Sequence, residues 1–191
     1  MNETQAVQML QTRPLEFLRK NAVSPHAARA SGTSTFYMVD TLAQIQRPGR
    51  RLGRLRTHQG QRFQVRADNI MNGSPFNAVH IPVQPSNIAI NAYPLPQHGP
   101  GLMITTQLTG CCIVMVPGGG TWSVAHLQPT NETGVELRRR LASNGLKVYG
   151  ATDYAGGRAT LVGVRTNMEW AFYTQKQDAQ FNVIKVKKLS F

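Results

Sequence analysis

From Phe76 onward the chain is a succession of short runs rich in β-branched and aromatic residues: FNAVHIPV, NIAINAY, GLMITTQL, CCIVMV, WSVAHL, LKVYGA, ATLVGVR, EWAFYTQ and FNVIKVKKL. Their length, and the Pro, Gly and Asn breaks between them, read as strands and demand a sheet-rich domain. One helix interrupts the series. Thr133 and Glu136 have the spacing of a capping box, Val135, Leu137 and Leu141 supply an apolar side, Arg138 to Arg140 face out, and Asn144-Gly145 ends it. The fold class is therefore α+β with strands dominating, and no repeat of fixed period is present.

Ahead of this region the pattern is weaker. Residues 2 to 21 suit one or two short helical turns, with Thr12 as a cap before Pro14, Leu15, Phe17 and Leu18. Residues 22 to 34 (AVSPHAARASGTS) are small, polar and unpatterned, and read as a linker or mobile arm. An amphipathic piece around Phe36 to Ile45 follows, then RLGRLRT and RFQVRAD, which alternate as strands with basic outer faces. The expected organisation is an N-terminal arm over 1–34, partly helical or mobile, and a single α+β domain over 35–191.

A net charge of +12 raises nucleic acid or an anionic membrane as a partner, since basic surfaces attract polyanions without sequence readout. Its distribution speaks against that. Arg47, Arg50, Arg51, Arg54, Arg56, Arg62 and Arg66 crowd one stretch, yet no Lys or Arg lies between Ala67 and Leu137. A solvated sheet face is expected ahead of a nucleic-acid site. No run approaches the roughly eighteen apolar residues of a membrane span, and MNETQAVQML has neither the basic nor the apolar part of a signal peptide. The expectation is a soluble monomer that, if exported, leaves by another route.

The two cysteines, Cys111 and Cys112, are adjacent, too close for ordinary disulfide geometry. In a strand they point to opposite faces, so one can serve a site while the other packs as a small hydrophobe. Around them the segment GLMITTQLTGCCIVMVPGGGTWSVAHLQP places a strand, a Thr109-Gly110 turn, Cys111, a β-run, a triple-glycine connection, and a strand ending near His126. If CCIVMV and TWSVAHL pair as a hairpin through the glycines, His126 returns beside Cys111, where an imidazole can take the thiol proton. The thiolate is the nucleophile, so cysteine needs that help. Gly110, lacking a side chain, lets the backbone turn so that the Cys111 N–H faces a developing oxyanion.

The string Thr105-Thr106-Gln107-Leu108-Thr109-Gly110-Cys111 resembles the Leu-Ser-Gly-Cys region of the glutamine deamidase toxins, the family of the Burkholderia lethal factor and the catalytic domain of the cytotoxic necrotizing factors. Leu108 to Cys111 match the box, His126 the downstream histidine, and Thr105 the threonine six residues ahead of the nucleophile that orients the histidine. The resemblance covers some twenty-five residues; Cys112 and the triple glycine are not part of its pattern. It implies a β-sandwich-like α+β core with flanking helices, and no cofactor or metal. It further implies hydrolysis of a glutamine carboxamide of a host protein through a thioester, and secreted, toxin-like action in the host cytoplasm. Relatives attack a switch glutamine of Rho-type GTPases or a glutamine in a translation-initiation helicase.

Other readings stand beside this one. A cysteine peptidase or a transglutaminase would use the same acyl-enzyme, and a non-enzymatic nucleic-acid-binding domain could be built on the arginine-rich strands. Trp122 and Gly119, beside the glycine loop, could wall a substrate pocket, or Trp122 could be a core aromatic. His80 and His98 have no carboxylate or cysteine at ligand spacing and read as packing or surface residues. The glycines lack the Lys-Ser/Thr or Rossmann spacing of a nucleotide site.

Overall fold

Strand-forming runs of this length bury both faces only if layers cover them on each side, and the chain supplies those layers. The computed structural model describes residues 1–26, 29–51, 54–69 and 71–190. In chain order its elements are α1 (Glu3–Thr12), α2 (Pro14–Lys20), β1 (Ala22–Pro25), β2 (Gly32–Arg51), β3 (Arg54–Arg66), β4 (Ser74–Ile81), β5 (Val83–Pro85) and β6 (Tyr93–Pro94). They continue with β7 (Leu102–Thr105), β8 (Cys112–Gly118), β9 (Thr121–Gln128), α3 (Gly134–Ser143), β10 (Lys147–Tyr149), β11 (Arg158–Thr166), β12 (Glu169–Gln177) and β13 (Val183–Lys188).

Eight strands form a nearly closed, barrel-like sheet in the order β1-β3-β2-β4-β7-β11-β12-β13. Side chains stitch its closing edge. The Val23 N–H donates to Gln175 Oε1 at 2.9 Å, and the Val23 carbonyl accepts from Gln177 Nε2 at 2.9 Å and Thr160 Oγ1 at 2.5 Å. Buried amides thus replace a missing ladder, as buried backbone groups require. The second sheet runs β10-β8-β9-β5, with β6 also on β9.

Side chains alternate across each strand, and the alternation sorts them into layers. Leu102 and Ile104 of β7 join Phe36, Phe63, Val162 and Val164 beneath Ala6, Leu10, Phe17 and Leu18 of the helices. Met103, between them in sequence, faces the other way with Leu161 and Phe172, against Ile113, Met115 and Val124 of the second sheet. The far face of that sheet, with Cys112, Val114, Ala125 and Leu127, is covered by Leu137 and Leu141 of α3. The strand-dominated α+β expectation holds, as two sheets packed face to face with helices outside.

Several local expectations change. The boundary at residue 34 falls inside β2, and the segment assigned to an arm contributes α1, α2 and β1, whose Ala6, Leu10, Phe17, Leu18 and Val23 are buried. Thr12 does not cap a helix: it is the last residue of α1 and its hydroxyl donates back to Gln8 O, while Asn2 and Gln5 form the capping box. NIAINAY is not a strand: a turn at Ser86–Asn87 follows β5, and only Tyr93–Pro94 pairs; Ile88 and Ile90 stand exposed. The Thr133–Glu136 box is present at 3.2 and 2.7 Å, but Val135 is exposed, and Leu137 and Leu141 alone make the apolar side. Of RLGRLRT and RFQVRAD, residues 54–57 and 62–66 fall in β3, while 52 and 53 and the side chains of Arg50, Arg51, Arg54 and Arg56 lie outside the described residues. Among the described residues no helix is long and apolar enough to cross a membrane.

Candidate active site

The hairpin forms. β8 and β9 are antiparallel with Gly118 opposite Thr121, so Gly119 and Gly120 make a two-residue turn with φ of 56° and 75°. Two positive φ angles match a type I′ turn, which glycine adopts without strain. The turn fixes the register, and in that register His126 stands directly opposite Ile113 and shares its face. Cys111 lies just ahead of β8, outside the paired residues; carried on two residues from Ile113, the strand alternation would bring it to the same face, diagonal to His126. Cys112 points away: it is fully buried with Leu137 and Leu141, and its Sγ lies 3.7 Å from the Gly134 carbonyl. Burial pushes its thiol up to about 11.

His126 is 0% exposed, and its surroundings specify its tautomer. The Thr105 hydroxyl donates its single proton to the Ile81 carbonyl at 2.7 Å. Its 2.6 Å contact with His126 Nδ1 must therefore be one in which Nδ1–H donates and the hydroxyl accepts. Nε2 is then the nitrogen with the lone pair, and it has no hydrogen-bond partner among the described residues. The contact joins the two sheets, since Thr105 pairs with Ile81 in the large one and His126 with Val83 in the small one.

Both side chains rest neutral. Desolvation, with a smaller contribution from His80, holds the imidazole down to about 4 from 6.5. Desolvation raises the half-buried Cys111 thiol above its ordinary 9.0, opposed in part by a backbone hydrogen bond from Thr109. Neither the thiolate nor the imidazolium is the favoured resting form.

A stability signature follows. Below pH 6.5 the unfolded chain protonates His126, whereas the folded chain resists until about pH 4. Falling pH through that window therefore favours unfolding, by roughly 3 kcal/mol in all. Urea midpoints measured from pH 7 to pH 4 should show this acid limb, and it should shrink in His126→Gln; an unchanged limb in the variant would assign it elsewhere.

Gly110 has φ +127°, a conformation open to glycine, and an added Cβ there would meet nothing within 4 Å, so its requirement is conformational. Tyr154 clamps this turn: its hydroxyl accepts from the Gly110 N–H at 2.9 Å and donates to the Cys111 carbonyl at 2.7 Å. The Gly110 N–H is thus committed to Tyr154. Leu108 ties the approach to β11 through paired bonds with Ala159 of 2.8 and 3.0 Å. Gly134, first residue of α3, packs so closely that a Cβ would lie 2.0 Å from the Gly110 carbonyl oxygen. Gly134→Ala should cost about 1–3 kcal/mol in chemical denaturation, as overpacking does. Gly118→Ala, with nothing within 4 Å of its Cβ, should be near neutral; equal effects would remove the close packing.

Trp122 and Gly119 do not join this site. Trp122 shares the His126 face but is four residues along β9, about 13 Å at the strand rise. It packs edge-on against Phe172 at 5.5 Å, and with Gly119, Glu169 and Trp170 it lines a separate cleft of about 600 Å³ at the hairpin tip. His80 is buried with its ring 5.8 Å from Phe36, and His98 is exposed. Tyr154 and Gly134 gave no sequence signal: the tyrosine acts from a turn without periodicity, and the glycine's role depends on a packing partner twenty-four residues away. No protein-family model and no curated protein matches the chain.

Proposed function

We propose that the chain is a cysteine-dependent deamidase that converts a glutamine side chain of a partner protein into glutamate. The observation that carries this reading is the Ile81–Thr105–His126 relay, which leaves a lone pair on Nε2 of a residue in β9, the strand paired with β8, which Cys111 immediately precedes. The match of Leu108–Cys111, Thr105 and His126 to the deamidase toxin pattern supports the substrate class.

In this mechanism Cys111 Sγ attacks the carboxamide carbon as His126 Nε2 takes the thiol proton. The Cys111 N–H is the proposed donor to the oxyanion. The C–N bond breaks, Nε2 returns the proton, and ammonia leaves a thioester. Water then attacks that carbonyl while Nε2 takes its proton; the C–S bond breaks, sulfur regains the proton, and glutamate is released. A host protein such as a Rho-type GTPase or a translation-initiation helicase, reached after secretion, is the proposed target.

The test is a mass-spectrometric survey of host-cell lysate for glutamines converted to glutamate by the active protein and not by Cys111→Ser, with a primary amine present. Conversion to glutamate supports deamidation. Amine incorporation means transglutamination, chain cleavage means proteolysis, and no Cys111-dependent change removes the reading. Thr105→Val keeps shape but strands the Nδ1–H, so turnover should fall roughly 10- to 100-fold, about 1.4–2.7 kcal/mol in the barrier. Steady-state rates check it, and an unchanged kcat would make Thr105 purely structural.

A further inference from the structure

A groove of about 760 Å³ lies away from Cys111, between α2 and β13, where the large sheet stops short of closing. At one end of that seam the Gln46 N–H donates to Asn182 Oδ1 at 2.7 Å. Four consecutive residues of β13, Val183 to Val186, line the groove. Successive side chains point to opposite faces of a sheet, so a groove touched by all four runs along the edge of the strand. β13 is also the last strand in the sheet order, which leaves that edge without a ladder partner among the described strands.

The walls are charged and the floor is apolar. Arg13, Arg19, Lys20, Arg47 and Lys185 line it against the single carboxylate of Glu16, a surplus of four positive charges. Glu16 is already engaged, by Lys20 at 2.6 Å and Arg13 at 3.5 Å, whereas Arg19 and Lys185 are exposed without an ion-pair partner among the described residues. Leu15, Tyr173 and Ile184 provide the apolar contacts, and Ile184 is 45% exposed. Exposed edges are normally blunted, and one left open beside an apolar floor is a template for strand addition.

We propose that this groove docks an extended, acidic segment of another protein, which adds alongside β13. Its main chain would pair with the strand edge. Its carboxylates would meet Arg13, Arg19, Lys20, Arg47 and Lys185, and its aliphatic side chains would rest on Leu15 and Ile184. Single-stranded nucleic acid would use the same cations but gains its affinity by stacking on aromatic platforms, and Tyr173 is the one aromatic ring in this lining. The proposal is independent of the deamidase reading.

The test uses the full chain and a fluorescent peptide of alternating Glu and Val. Anisotropy should show binding that weakens with salt, and Arg19→Glu with Lys185→Glu should reduce affinity roughly tenfold or more, since two exposed charge contacts become repulsive. On the unaltered chain, peptide should slow hydrogen exchange at the amides of Val183 to Val186. A Lys-Val peptide should not bind. The proposal is overturned if the Glu-Val peptide fails to bind, if it binds without protecting β13, if the double variant binds it equally, or if oligothymidylate binds this groove more tightly.

Discussion

Cys111→Ser should abolish glutamine conversion, a loss of roughly a thousandfold or more, while Cys112→Ser should retain most of the activity. A serine hydroxyl keeps the shape but is a far weaker nucleophile when its only base is one neutral imidazole. The adjacent cysteine makes the comparison sharp, because the two share sequence context and differ in face. Cys111 lies half-buried just ahead of β8, whereas Cys112 is buried against α3, with an added Cβ at Gly150 only 2.5 Å from its Sγ. Initial rates on an identified substrate protein would check this. Equal loss in both variants would mean that Cys112, or the packing around it, carries the activity.

The second large effect belongs to His126. Alanine is a poor probe because the ring is fully buried and its removal leaves a hole in the core. His126→Gln is better: its amide can still donate to the Thr105 hydroxyl, which receives Nδ1–H at 2.6 Å, but it cannot act as a base. Turnover should fall about 10²–10⁴-fold, the usual contribution of general acid–base catalysis. Thermal stability at neutral pH should change far less than activity. A variant that turns over normally would reduce the Thr105–His126 contact to a bond between two sheets.

What the sequence disclosed here follows from locality. The β8–β9 hairpin was legible because glycines between two runs of alternating residues determine turn and register together. The opposed directions of Cys111 and Cys112 follow from that same alternation, and the capping box of α3 is a three-residue spacing. Each needs information from only a short window. The helical turns of the N-terminal segment were legible but their packing was not, because α1 buries only Ala6, Val7 and Leu10, and that burial depends on Phe36 and Phe63 from strands far along the chain. Trp122 shows the limit of reading faces: it shares one with His126, yet its distance along the strand places it in another cleft. Thr105 was singled out by resemblance, but which of its groups reaches the ring depended on Ile81, brought alongside by the parallel pairing of β4 and β7. Tyr154 had no spacing to betray it.

The most direct measurement is to react the protein with an identified glutamine substrate in ¹⁸O-labelled water, quench in acid, and map both partners by mass spectrometry. Deamidation through Cys111 predicts a substrate acyl group on the peptide that contains Cys111, absent from Cys111→Ser and present in Cys112→Ser, with labelled oxygen in the new glutamate. An acyl group that survives Cys111→Ser, or glutamate formed with labelled oxygen in the absence of Cys111, would contradict it.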